Sequence, residues 1–415
     1  MAPVITLTGY SNVRAALFNQ KLAQAREYTI EEVRPDDKGI LENTLLVLHG
    51  RDHQMRKRRE NVVFRRSSLE DFEGRKVPPV IDHFLRPLVD EGHGDLMDFG
   101  MDVFMVIAAL MIGIDFDWRD DDARRRLIKY SDIFAQGVTR ADSNRDIDDI
   151  NRDVEEALIA FRREFYDASL QYRVSLGAEG GCPVSGAHSK PQHQDLVSLL
   201  VDANDELNMD AATLLRETAF FLESGVLSSS DTMTFALFHL LDPNTPEEIR
   251  ERARDDIRFT QSCALESLRL HPPSHFLRRR ATHDITIGEH EIPAGTVVRL
   301  DIDSANTDVE YFGDDAEEFK PERPMPAGVK PAALSFSGGA HTCIGRTVAL
   351  GAFEESATDD DKPILVGAVS RVVQALLRAG VELDTTQSSG LRTDTKMERW
   401  SKFPVVFPAL ASSVS

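Results

Sequence analysis

Cysteine is scarce: the 415-residue chain has three, Cys182, Cys263 and Cys343. Three thiols cannot all pair within one chain, and a disulfide-stapled scaffold of this length would carry more. A reducing cytoplasm is the simpler expectation. Positive charge is also in deficit. Lys and Arg number 48 against 69 Asp and Glu, a net charge of −21, which argues against a general nucleic-acid binder, because that function needs a net basic face. Long apolar runs are missing. The longest candidate, Val103 to Ile114, is bounded by Asp102 and Asp115 and is too short to span a bilayer, so no membrane association is expected. The opening MAPVITLTGY has no basic region followed by an apolar one, so no signal peptide is expected. No internal repeat of solenoid length is visible. What is present is 41% hydrophobic residues, enough for a buried core, and this excludes wholesale disorder. At roughly 150 residues per domain, the length allows two or three domains or one large one.

Most of the chain reads as helix. Gln54 to Arg66, Asp122 to Gln136, Ile147 to Gln171, Ala211 to Leu241 and Val369 to Ala379 contain no proline and repeat apolar residues at three- and four-residue spacing. Strand-like pieces are short: Val4 to Leu7, Ile285 to Ile287, Val297 to Leu300 and Pro404 to Phe407. Gly288 to Gly295 has turn residues at both ends of a short apolar pair, as a hairpin would.

Two segments break the helical pattern. Residues 177–194 are rich in Gly, Ser, Pro and His and read as a flexible surface loop. The loop holds Cys182, His188 and His193, but their spacing fits no standard zinc motif and a fourth ligand is missing. Glu354 to Pro363 reads as a solvated acidic turn.

The strongest chemical signal is Phe336-Ser337-Gly338-Gly339-Ala340-His341-Thr342-Cys343-Ile344-Gly345. A lone cysteine follows a glycine-rich loop and precedes an apolar helical run. Glycine lets the backbone fold tightly and approach a flat ligand, and a cysteine at a helix start has its thiolate stabilised. Those conditions suit a metal-bound thiolate; a buried structural cysteine in a glycine turn is the alternative. Upstream, Glu266 and Arg269 stand at i and i+3 on one helix face. Phe319-Lys320-Pro321-Glu322-Arg323 lies between them and the cysteine.

In this order the motifs resemble those of the cytochromes P-450, the haem-thiolate monooxygenases. Phe336, Gly339, His341, Cys343 and Gly345 match the family's haem loop. Glu266 and Arg269 match its Glu-x-x-Arg helix, and Phe319, Pro321 and Arg323 match the segment between. Ala305-Asn306-Thr307-Asp308 looks like the family's Ala-Asn-Arg-Asp turn with Thr307 in place of Arg. The resemblance implies a mainly α, single-domain fold over residues 1–415, with small β-sheets at one side and haem b between a long distal helix and a proximal helix. It implies Cys343 as the thiolate ligand of the haem iron, and His341, Arg279 and His53 as partners of the haem propionates. Lys57 stands where the family has Arg; it can neutralise a propionate but lacks the bidentate fork. Glu266, Arg269 and Arg323 resemble the family's structural salt-bridge triad.

The sequence also departs from the family. The distal helix, Ala211 to Leu241, should carry an acid and an alcohol. Counted along it, Ser224-Gly225-Val226-Leu227-Ser228-Ser229 keeps Gly225, which would allow a local kink, but replaces the acid by Leu227 and the alcohol by Ser228. A shifted register would use Asp231-Thr232. Leucine cannot carry a proton, so water with Ser228, Glu223 one turn away, a substrate group, or hydrogen peroxide as oxidant all remain open. Only seven residues precede Thr8, so the family's first helix and part of its first sheet are expected to be missing. The helix after the cysteine looks interrupted by an acidic insertion at about 351–367.

The function implied is oxidation of a small organic substrate with dioxygen and two electrons. No flavin or iron–sulfur module is expected after the haem loop, so a separate ferredoxin or flavodoxin with its reductase should deliver the electrons. Phe220, Phe221, Ser274, His275 and Phe276 match regions that line family pockets. A peroxide-driven or oxidative-rearrangement enzyme is the alternative that Leu227 favours; a non-catalytic haem protein is a third.

Overall fold

Val4–Leu7, the first apolar run of the chain, forms a strand parallel to Val297–Asp301, with Val4 opposite Val297. Val297–Asp301 pairs antiparallel with Phe276–Ala281, which pairs antiparallel with Leu22–Gln24. These four strands make one sheet. The computed structural model describes residues 4–25, 39–179, 195–352 and 364–408. By internal contacts the chain divides into two units. The first is Met1–Asp37, Ile81–Gly100 and Ser228–Ser415; the second is Lys38–Val80 and Met101–Leu227. The division falls inside the helix Ala211–Leu241.

In the first unit the helix Tyr10–Leu17 buries Tyr10, Val13, Ala16 and Leu17, an apolar stripe at three- and four-residue spacing. That stripe joins Leu7, Val298, Leu300 and Ala281 of the sheet in one core. The expected hairpin is Ile285–Ile287 paired with His290–Ile292. Pro404–Val406 forms the centre of a three-strand sheet between His93–Asp95 and Glu382–Leu383. Helix Gly367–Arg378 buries one face, including Val369, Val372, Val373 and Leu376.

The second unit is helical. Leu96–Ile112, apolar on nearly every side, runs into it and is buried almost throughout. Asp121–Val138 and Ile147–Phe161 start at aspartates whose carboxylates accept backbone N–H groups of their own first turns. The run from Ile147 to Gln171 is helical throughout. A π-turn at Arg162–Tyr166 joins Ile147–Phe161 to Asp167–Glu179 and turns Phe165 into the core. Gly177–Glu179, taken as loop from the sequence, therefore closes a helix; the rest of the 177–194 segment lies outside the described residues, as does Glu354 to Pro363.

The basic run Gln54 to Arg66 also differs from its expected form. The helix is Gly50–Glu60, and Asn61 to Phe64 follow as turns with i to i−3 hydrogen bonds before a new helix at Arg66–Asp71. Among the described residues no helix is long and apolar enough to cross a membrane.

Candidate active site

The cysteine loop is shaped by its own backbone. Ser337 and Gly339 both take positive φ, +59° and +63°. The Cys343 amide reaches back 2.9 Å to the Phe336 carbonyl and closes the loop. Gly339–His341 makes a single 3-10 turn, steadied by the Thr342 hydroxyl on the Gly339 carbonyl at 2.9 Å. A Cβ at Gly339 would sit 2.6 Å from the Leu17 carbonyl oxygen, so close approach and positive φ both demand glycine there. Gly345 precedes the helix Arg346–Leu350, and the Cys343 side chain is exposed. That helix has only five residues, so the stabilisation expected for a thiolate at a helix start comes from one short turn.

The interruption after it is real. Arg346–Leu350 ends at Gly351, φ +78°, and Gly367, φ +81°, opens the next helix. A Cβ at Gly351 would meet the Leu365 carbonyl at 2.3 Å, and one at Gly367 the Ala349 carbonyl at 2.4 Å. The Ala352 amide bonds Leu365 O at 3.2 Å. The backbone on either side of residues 353–363 is thus pressed together.

Behind the loop stands the triad. Arg269, fully buried, forks onto Glu266 at 2.7 and 2.8 Å. Arg323 adds its Nε to Glu266 Oε1 at 3.1 Å and donates to Asp315 and to the Phe312 and Glu318 carbonyls. Arg269 Nη1 also donates to the Asn306 and Ala316 carbonyls, both at 2.7 Å. Glu266 therefore has its charge fully met, the condition under which a buried ion pair is tolerated. The sequence did not foretell the role of Asn306. Its side chain donates to the Arg269 carbonyl and accepts the Leu334 amide, both at 3.0 Å, and reaches Ser335 Oγ at 2.8 Å. It thus links the triad to the residues just before Phe336. Asp308, two residues on, accepts the Tyr10 amide at 2.8 Å.

Three successive arginines, 278 to 280, left the propionate partner open to a one-residue slip. They lie in the strand Phe276–Ala281, where neighbours point to opposite faces. Arg279 is buried, 3% exposed, on the face opposite its two neighbours. Its Nη1 donates to the Arg278 carbonyl at 2.9 Å, and burial alone pushes its pKa down to about 10. Of the pocket candidates, His275 Nδ1 lies 2.7 Å from Asp303, and Arg299 stacks over the Phe276 ring at 3.4 Å.

In the second unit His53 is buried on helix Gly50–Glu60 with Lys57 half-buried one turn on. Burial, then Lys57 and His49, pushes the His53 pKa down to about 4, so the ring is neutral at ordinary pH. Glu223 is buried and accepts the Ser224 hydroxyl at 2.7 Å. The helix passes Gly225 without a break. The glycine serves close packing instead, since a Cβ there would lie 3.3 Å from that of Ala108. Phe221 is buried and stacks on Phe64 at 5.9 Å between centroids.

Further along the same helix, in the first unit, Leu227's neighbour Ser228 offers its carbonyl to the Thr232 hydroxyl at 2.7 Å. Asp231, 2% exposed, faces Arg399 with 3.6 Å between Oδ2 and Nη1. Burial pushes its pKa up to about 6, against the opposing pull of Arg399. The shifted register would thus place its acid against the C-terminal segment and its alcohol on the helix backbone.

The donor set fits a haem. A thiolate suits iron, and the hydrogen bonds of buried Arg279 include no carboxylate among the described residues, which suits an anionic propionate. Comparison with known proteins agrees. The chain is 30% identical over 184 residues to cyclooctat-9-en-7-ol 5-monooxygenase of Streptomyces melanosporofaciens, a match covering 39% of this chain and 40% of that protein. The chain thus spans about two-fifths of that relative's length. Its fold is similar to that of P450BioI, solved with an acyl carrier protein carrying hexadec-9Z-enoic acid. The TM-score is 0.73 at 17% identity, over 97% of this chain and 92% of the other. CYP109E1 from Bacillus megaterium, solved with testosterone, gives a TM-score of 0.70 at 14% identity, over 97% and 93%. The cytochrome P-450 family profile matches residues 2–352, a span that takes in the triad and the cysteine loop, and with that this chain belongs to the cytochrome P-450 family.

Proposed function

We propose that this protein is a haem-thiolate monooxygenase of the cytoplasm. It oxidises a small organic molecule with dioxygen and two electrons from a separate ferredoxin or flavodoxin with its reductase. The observation that supports this most is the Phe336–Gly345 loop, closed by the Cys343 amide on Phe336 and leaving the Cys343 thiol exposed. Haem b, when bound, supplies the activation of oxygen, favoured by an electron-rich thiolate. Cys343 Sγ holds the iron. Arg279, His341, His53 and Lys57 would meet the propionates, with Lys57 and Arg279 as the charges.

On the distal helix, Leu227 moves no proton. Ser228 carries a hydroxyl able to donate a hydrogen bond, and the Glu223 carboxyl, bonded to Ser224, can hold a proton about one turn before Leu227. Leu227 also favours a second reading, in which hydrogen peroxide serves as oxidant or the product is an oxidative rearrangement. Turnover with a ferredoxin system against turnover with peroxide separates the two.

The test of the main reading is spectroscopic. Reduced protein with carbon monoxide should show the red-shifted Soret band of thiolate ligation, and Cys343→Ala should abolish it. A wild-type band typical of histidine ligation would overturn the assignment.

A further inference from the structure

Helix Gly50–Glu60 turns one face inward: His53, Arg56 and Glu60 are buried and Lys57 half-buried, at three- and four-residue spacing. The far end of that face meets the long helix Ala211–Leu241 within the second unit. Glu60 and Glu217 are both 0% exposed, and their carboxyls face one another. One guanidinium attends them. Arg56 Nη1 reaches Glu217 Oε2 at 3.4 Å and donates to the Asn43 carbonyl at 2.5 Å. The Leu45 amide lies 3.0 Å from each Glu217 oxygen. No N–H or hydroxyl donor of the described residues serves either Glu60 oxygen, and its hydrogen-bond neighbour is the Glu217 carboxyl itself. Two carboxylates against one guanidinium, closed to water, leave one negative charge in excess. A buried uncompensated charge is strongly unfavourable, and such a group keeps its proton instead.

We propose that Glu60 and Glu217 hold one proton between them, resident on Glu60, and that this acid pair is the positioning device that seats helix Gly50–Glu60 on the long helix. The surroundings decide which partner is charged. Glu217 is met by the Leu45 N–H and by Arg56, whereas Glu60 has burial and a negative neighbour set against the pull of Arg56 alone. Burial first, and Glu217 second, raise the Glu60 pKa well above the usual carboxylate range. Burial also raises Glu217, but the hydrogen bond with Glu60, then Arg56 and the Leu45 amide, pull against it. Arg56 is the charged group that bears on both. Lys57 and His53 stand one and two turns before Glu60 on the same face, so the seating of Glu60 governs where they project. That last step rests on the haem reading above.

The experiment measures unfolding temperature from pH 5 to pH 9 for the haem-loaded wild type, Glu60→Gln and Glu217→Gln, together with the rate of haem transfer to excess apomyoglobin. A carboxyl whose pKa is higher in the folded state contributes stability that is complete below its unfolded pKa and lost as pH rises toward the folded one. Glutamine keeps a donor and carries no charge. Glu60→Gln should therefore lie about 2–4 °C above wild type at pH 8 and show a flatter profile. Glu217→Gln should flatten it as well, because Glu60 is then left with Arg56 alone. Haem transfer should accelerate with pH several-fold less in Glu60→Gln than in wild type. Parallel temperature profiles would overturn the shared proton. Separate profiles with identical acceleration of haem transfer would overturn the positioning role. Failure of the haem reading itself would appear elsewhere, as a missing thiolate band with carbon monoxide, and the temperature profiles would still decide the acid pair.

Discussion

The Leu334 amide donates to Asn306 Oδ1 at 3.0 Å while Asn306 Nδ2 donates to the Arg269 carbonyl, also at 3.0 Å. One buried amide therefore ties the salt-bridge helix to the segment that leads into the cysteine loop. Asn306→Ala would leave a buried N–H and a buried carbonyl unmet, at about 1–3 kcal/mol each. Denaturant unfolding should show a loss of about 3 kcal/mol, and the protein should retain less haem than wild type. A variant with unchanged stability would show that the amide is dispensable.

Asp231 gives a pH signature. Its pKa is raised by burial to about 6, so its contribution is complete near pH 4 and lost as pH rises to about 6. Over that window wild-type stability should fall by about 2 kcal/mol more than that of Asp231→Asn. The comparison is of slopes, because the variant also leaves Arg399 without its partner at every pH. Equal slopes in denaturant titrations would remove Asp231 as the titrating group.

Ser228 is the alcohol beside Leu227. If its hydroxyl serves oxygen chemistry, Ser228→Ala should consume reducing equivalents with less product and more released hydrogen peroxide. Simultaneous measurement of cofactor oxidation, product and peroxide checks this. Unchanged coupling would point to Glu223, whose carboxyl already accepts a hydroxyl from Ser224.

Seven cations fall between Arg51 and Arg66, and the fold decides which of them face solvent. Arg56 is buried on Glu217, while Arg59 pairs with Glu206 and Arg66 with Glu70. Arg51, Arg58 and Arg65 are the exposed ones among the rest. Reversing Arg51 and Arg58 to Glu should slow reduction by an acidic ferredoxin at low salt. The difference should fade toward 1 M salt, where the Debye length is about 3 Å. Substrate affinity should not change. Stopped-flow reduction across a salt series would show equal rates if these residues do not steer the donor.

How much was legible differed by element, for physical reasons. Ala211 to Leu241 was readable end to end, because a proline-free run with apolar spacing has little else to become. The cysteine loop was readable because its glycines answer to backbone geometry. The strand Phe276–Ala281 was not, since three arginines in a row conceal the in-and-out alternation that burial reveals. Helix Leu96–Ile112 escaped for the opposite reason: apolar on nearly every side, it has no periodicity to detect. Nothing in the sequence singles out Glu60, and only the fold shows it set against Glu217. Asn306 was matched as part of a motif, but its partners lie 28 and 37 residues away, beyond any local pattern.

The glycine pair after the cysteine has a consequence for how this chain can vary. Gly351 and Gly367 bring two backbones to within a carbonyl's reach, and Ala352 is hydrogen-bonded to Leu365. The stretch between starts and finishes at nearly one point. Bridging two ends held this close costs entropy that grows only slowly with the number of residues between them, so a change of length between Ala352 and Leu365 should leave Cys343 and helix Gly367–Arg378 in their places. That makes it a natural graft point, where a tag or a tethered electron donor could be spliced into the protein without redesigning what lies on either side.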